Sequence, residues 1–186
     1  MANHAIALAV VWHVVAAGAT IHAVMHSVAS ECWRRPVPAG SGLLLLASAS
    51  SAAAALTHVA IIAGGPSWYR FFGAGEGMAR LAASGSWYPA TITLGIALVL
   101  AVWAAYAASA AGYLPVLPFL KTVMVAVSAV YLCRGVGGFF LAALAPGGNS
   151  PTFWVWSSCI CLLIGLAHAV GLSRRWPVLS ARGRHR

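Results

Sequence analysis

The chain contains no aspartate, and Glu31 and Glu76 are its only acids. That shortage leaves no acid pair suited to glycoside or peptide chemistry, and general acid–base catalysis would have to rest on histidine and two glutamates. There is no C-x-x-C, no Walker-type phosphate loop, no H-E-x-x-H and no G-x-S-x-G, so the common nucleotide, zinc-peptidase and serine-hydrolase chemistries have no carrier here. Charge as a whole is scarce: 7% of the 186 residues are charged, against about 25% in a soluble domain. Such a chain cannot solvate its own surface in water.

What is present is apolar length. Hydrophobic residues make up 61% of the sequence and gather into five continuous runs, at about residues 5–29, 42–63, 88–112, 117–145 and 152–172. Each is long enough to cross a hydrocarbon core of about 30 Å as a helix. The runs do not alternate, and backbone amides inside lipid must be satisfied within the segment, so helices are favoured over a barrel. Breakers fall between the runs: Arg34-Arg35-Pro36, Gly64-Gly65-Pro66, Pro115 with Pro118, and Pro146 through Pro151. The sequence therefore predicts one all-α integral membrane domain, a five-transmembrane-helix bundle. A long interfacial loop, 64–87, with a short turn at 78–83, would connect the second and third helices, and a basic tail would occupy 173–186. The first run has no basic residue before it and exceeds the apolar length of a cleavable signal, which predicts that it stays in the mature chain.

Positive residues are retained on the cytoplasmic side of a membrane. Arg174, Arg175, Arg182, Arg184 and Arg186 place the C-terminus inside, and alternation puts Lys121 and Arg34-Arg35 inside as well. Arg70 and Arg80 then lie in the outer loop and the N-terminus lies outside. Trp33, Tyr113 and Trp176 mark inner helix ends, and Trp68, Trp87, Tyr88 and Trp154 outer ones, as aromatic side chains with a polar tip prefer. The formal charge of +9 is scattered along membrane edges without a nucleic-acid motif, so the expected partner of the basic tail is anionic lipid and not nucleic acid.

Small residues at four-residue spacing let helices approach closely in lipid, where the hydrophobic drive is absent. Ala101, Ala105 and Ser109, then Ala129, Cys133 and Gly137, and Gly138 with Ala142, form such rows. Five of the seven histidines fall inside the runs: His13, His22, His26, His58 and His168. His22 and His26 stand one turn apart on one face, a spacing that chelates a transition metal, with His168 or His58 as partners from other helices. Two histidines on facing helices would equally hold a b-type haem, His26 with His168 being open by depth. Against both stands hydrogen bonding of buried histidine to serine or backbone, which needs no cofactor, and none is predicted. Cys159 and Cys161 point about 160° apart on a helix, and no structural disulfide is expected among Cys32, Cys133, Cys159 and Cys161.

The stretch VYLCRGVGGFF puts Arg134 about 20 Å from Lys121 along a helix, inside the outer half of the membrane. An arginine there costs at least about 2.5 kcal/mol unless paired, wetted or snorkelled. Of the two acids, depth favours Glu76 over Glu31, which predicts an intramembrane ion pair Glu76–Arg134 that folds the outer loop onto the fourth helix. Snorkelling past Gly135, Gly137 and Gly138 is the alternative.

The elements FGAGE-x-MA, SWYP, A-x-YA-x-SAAG, LPFLK and VYLCRG, within residues 71–135, resemble a group of small bacterial inner-membrane proteins to which no function attaches. The resemblance implies a bacterial inner-membrane location and brings Glu76 and Arg134 into its motifs. Three functional readings follow. The first is a non-enzymatic protein that associates with another membrane protein or with itself as an accessory, assembly or protective partner. The second is a small transporter or permeation unit using Arg134, Glu76 and the histidines, and the third is a haem or metal carrier.

Overall fold

The computed structural model describes residues 40–144 and 149–182, and these are helical with short connections. In chain order the helices are α1 (Gly42–Phe71), α2 (Glu76–Ala83), α3 (Tyr88–Ala111), α4 (Leu120–Leu144) and α5 (Pro151–Arg182). All except α2 are long and apolar enough to cross a membrane. The shortest of the four, α3, has 24 residues and is about 36 Å long. The sequence predicts five spans; the first run, with His13, His22, His26 and Glu31, lies outside the described residues. Leu56, Leu98, Phe140 and Leu163 project outward and exposed from four different helices, a surface suited to lipid and not to water.

Two boundaries differ from the sequence reading. Residues 64–87 are not one loop: α1 runs through Gly64-Gly65-Pro66 to Phe71, and Glu76–Ala83 is a helix of its own. Gly65 absorbs the kink with φ 67° and ψ −151°, a conformation that glycine adopts without steric cost, and the Trp68 ring folds back into the space that a side chain at Gly64 would fill. The second difference is the tail. The last helix continues ten residues past the predicted end at 172, to Arg182, even though Pro177 lies within it. Buried Arg175 shows why: its Nε donates to the carbonyl of Ala110 at 3.4 Å, near the end of α3, where carbonyls lack helical partners. Beside it the Lys121 ammonium lies 5.3 Å from the centre of the Trp176 ring.

The core has three levels. Leu44, Ala107, Ala111, Leu120, Met124 and Leu172 close the end that carries Lys121. Ala55, Leu100, Val127 and Tyr131 fill the middle, and Ile61, Tyr69 and Ala79 seat α2 at the opposite end. Helices α4 and α5 interlock reciprocally. A side chain at Gly135 would meet Leu162, and one at Gly165 would meet Leu132, so each glycine receives a leucine of its neighbour. The predicted rows are buried only in part: Ser109 and Gly138 are buried, Ala101, Ala129 and Cys133 are exposed, and Ala97, Ala104, Ala107 and Gly135 are buried outside those rows.

At the end opposite Lys121, the corner between α1 and α2 is closed by charge. Arg70 binds Glu76 through two hydrogen bonds, Nε to Oε2 at 2.7 Å and Nη2 to Oε1 at 3.0 Å. Arg80, one turn along α2, lies 3.7 Å from the same carboxylate, and Glu76 also sits in the favourable first turn of its helix. The corner rests on the start of α5: Asn149 Nδ2 donates to the carbonyl of Gly73 at 3.0 Å, and Phe153 occupies the space beside Gly73, whose φ is +78°. The hydrogen bond from Arg70 holds the Glu76 carboxyl below its usual range, with Coulomb attraction to Arg70 and Arg80 in the same direction. A depressed folded pKa supplies stability above the ordinary carboxylate range, and that stability fades as pH falls through the depressed value. The corner is therefore expected to loosen below about pH 4, and Glu76→Gln to loosen it at every pH. Amide hydrogen exchange of residues 70–80 checks this, and equal protection in the variant at pH 7 and in the native chain at pH 3 and pH 7 contradicts it.

Candidate functional site

Ser51 of α1, Tyr131 of α4 and His168 of α5 meet in the middle of the bundle. The Ser51 hydroxyl lies 3.1 Å from the Tyr131 hydroxyl and 3.2 Å from His168 Nε2, linking three exchangeable groups in one line. Ser51 and His168 are fully buried. The imidazole stacks on the phenol ring, centroids 5.4 Å apart and planes within 19°, and Trp103 of α3 closes the other side edge-on at 5.3 Å. All four long helices thus contribute to this cluster. His168 Nδ1 has no hydrogen-bond partner among the described residues.

One turn along α4, three residues after Tyr131, stands Arg134. Its Nη2 donates to Ser157 Oγ at 3.3 Å, and its guanidinium carbon lies 5.2 Å from the centre of the Trp154 ring. Nη1 rests beside Gly138 together with Ser158 Oγ, in the space that a methyl group at residue 138 would fill. Arg134 Nη1, Ser158 Oγ and Trp154 Nε1 are all buried without a hydrogen-bond partner among the described residues. In the other direction from Tyr131, the hydroxyl of Ser128 is spent on the Met124 carbonyl at 2.8 Å, and that of Ser48 on Ala104 at 2.8 Å. Polar groups thus recur at successive turns of α4, at residues 128, 131 and 134, and of these Arg134 retains a donor without a partner among the described residues.

The ion pair predicted between Glu76 and Arg134 is not formed: Glu76 binds Arg70 and Arg80 instead. The reason is reach, since Arg70 and Arg80 stand on the helix ends that carry the corner, while Arg134 lies inside the bundle against α5. The corner does approach the bundle, through Gly73, Asn149 and Phe153 and not through charge.

The histidines divide. His58 Nδ1 lies 2.8 Å from the Ala54 carbonyl of its own helix, and His168 is held by Ser51 and Tyr131. No group of three His, Cys or acidic side chains with metal-binding geometry occurs among the described residues. The predicted His22–His26 pair, with Glu31 and His13, lies outside them. Cys133, Cys159 and Cys161 are free thiols, Cys133 being exposed. Ser51, Tyr131 and Ser158 did not stand out in the sequence. For Tyr131 the available signal was its place between Ser128 and Arg134, three polar residues at three-residue steps inside an apolar run, which lie along one side of a helix.

No protein-family model, curated protein or solved structure matches the chain.

Proposed function

We propose that the chain is a small multi-pass transport or permeation unit of a bacterial inner membrane, with Arg134, Tyr131, Ser51 and His168 as its interior polar path. One observation carries this reading: a guanidinium inside a candidate span whose partners among the described residues are a serine hydroxyl and an indole ring, with no carboxylate. A charged side chain in lipid costs at least about 2.5 kcal/mol, so an arginine without an ionic partner marks a group that meets something mobile. The hydroxyl and imidazole line next to it adds groups that exchange protons. The path runs along the α4–α5 seam toward α1.

Orientation belongs to the same proposal. Lys121, Arg174 and Arg175 gather at one end, which is read as cytoplasmic, while at the other end Arg70 and Arg80 share Glu76 and present less net charge. The N-terminus is then outside.

The test is purified protein in liposomes loaded with a pH-sensitive or a halide-sensitive dye. Proteoliposomes are expected to dissipate an imposed gradient faster than empty vesicles, and Arg134→Gln to return the rate to the empty-vesicle level. Native proteoliposomes as tight as empty ones, to protons and to small anions alike, end this reading.

Association with another envelope protein or a second copy is the other reading. Its support is that Ala129 and Cys133, predicted as packing residues, face outward and exposed. Oxidative crosslinking through Cys133 in native membranes would yield a dimer of this chain if the partner is a second copy, and an adduct of another mass if it is a different protein with a cysteine in reach; only monomer would count against association through this face.

A further inference from the structure

We infer that Arg134, Ser158 and Trp154 form a binding site for a small monovalent anion. The inference rests on the transport reading for its physiological use, but the binding site is tested separately.

The chemistry of the site selects the ligand. Arg134 Nη1 and Trp154 Nε1 can only donate hydrogen bonds, and the Ser158 hydroxyl can donate one. All three are buried and have no partner among the described residues, and Ser158 is fully buried with its oxygen beside the Arg134 guanidinium over Gly138. Ser157 Oγ, the one hydroxyl bonded to Arg134, donates in turn to the Trp154 carbonyl at 3.1 Å, so its lone pair faces the guanidinium and its proton is used. The cluster therefore offers donors and one positive charge, and it lacks a negative group. A cation is repelled by the guanidinium, whereas one negative charge balances it. A divalent anion would leave a net charge in the bundle.

The second feature is the neighbouring helix end. Trp154 lies in the first turn of α5, where the helix start adds partial positive charge, and Ser158 lies one turn deeper. Depth separates the sources of such a charge. Arg134 lies ten residues, about 15 Å, before the end of α4, and Ser158 seven residues, about 10 Å, after the start of α5. A lipid phosphodiester resides near the helix ends, so a free inorganic anion of the chloride or nitrate type fits this level better than a headgroup.

The experiment uses the full chain in uncharged detergent, with sodium gluconate replaced stepwise by chloride or nitrate at constant ionic strength. The thermal unfolding midpoint is expected to rise saturably with chloride or nitrate, because a ligand that binds only the folded state stabilises it. Arg134→Gln is expected to weaken apparent affinity by at least roughly tenfold, as loss of a hydrogen bond to a charged group does. Trp154→Phe removes the N–H while keeping an aromatic, though smaller, ring, and Ser158→Ala removes only the hydroxyl; each is expected to weaken binding by roughly threefold to tenfold while the protein still folds. Arg80→Gln, which removes an exposed charge remote from α5, is expected to bind as the native chain does.

A midpoint indifferent to anion identity overturns the inference, as does a Trp154→Phe and Arg134→Gln pair that both respond like the native chain. Native mass spectrometry of the same sample tests the lipid source: an anionic phospholipid retained by the native chain and lost in Arg134→Gln, with no chloride or nitrate response, overturns the free-anion assignment. Anion binding without vesicle flux would keep the site and remove the transport reading. Flux by the native chain that is lost in Arg134→Gln, with no saturable anion binding, would do the reverse.

Discussion

Tyr131→Ala is expected to destabilise the bundle by about 3 kcal/mol, while Tyr131→Phe costs only about 0.6 kcal/mol. The contrast follows from what each change removes. Phenylalanine keeps the ring that stacks on His168 and meets the edge of Trp103, and it deletes one hydroxyl bonded to Ser51. Interhelical hydrogen bonds in membrane proteins average about 0.6 kcal/mol, because the separated helices also find partners in the membrane. Alanine removes the ring itself. In lipid the loss is not one of transfer from water but of dispersion contacts, since the cavity left between all four long helices has no atoms to fill it. Unfolding by sodium dodecyl sulfate in mixed micelles, followed by tryptophan fluorescence, measures both variants. Equal costs for the two changes would mean that the polar line, and not the ring, organises the centre.

Gly135→Leu should be more disruptive still, separating α4 from α5, whereas Gly137→Leu two residues away should change stability by less than about 0.5 kcal/mol. At residue 135 even a Cβ would come 2.9 Å from the backbone nitrogen of Leu162, and closer to the Leu162 side chain. A backbone atom cannot rotate out of the way, so the helices must part. Overpacking of this kind costs about 1–3 kcal/mol, and here parting also withdraws Leu132 from Gly165. Residue 137 has nothing within 4 Å. Both glycines lie in the same helix and pay the same backbone propensity, so their difference isolates helix contact. The same detergent titration measures it, and similar losses at the two positions would contradict the packing.

The pair also shows what was legible in the sequence and what was not. The apolar runs located α1, α3, α4 and α5 because lipid-spanning length is written in composition. The face each helix buries was not: Ala129, Cys133 and Gly137 read as well as Gly135 and Gly138, and only the neighbouring helix distinguishes them. Breakers were read too strongly at Gly64-Gly65-Pro66, where the freed backbone geometry makes a kink and not an end. Arg174 and Arg175 read as the start of a tail, yet Arg175 finds the Ala110 carbonyl and keeps α5 wound. For Glu76, depth pointed to Arg134, while the four-residue spacing to Arg80 was a local signal of ion pairing that sequence alone displays. His168 hydrogen-bonds Ser51 of another helix, while the half-buried His58 bonds the Ala54 carbonyl of its own helix.

The connection between α3 and α4 bears on how this protein is made. Helix α3 ends in a Schellman arrangement, with Gly112 at φ 94° and the Tyr113 amide bonded to the Ala108 carbonyl at 3.0 Å. Ser109 then accepts from the Leu117 amide at 3.2 Å and donates to the Pro115 carbonyl at 2.6 Å, and Tyr106 donates to the Pro118 carbonyl at 3.1 Å. Every one of these bonds joins residues between 106 and 119, so the turn needs nothing from α1 or α5 to close. As the ribosome extends the chain, contacts this local form early. The turn can thus close before α5 is made, while α3 finds its main packing partner in α1, already synthesised, and α4 finds its own in α5, still to come.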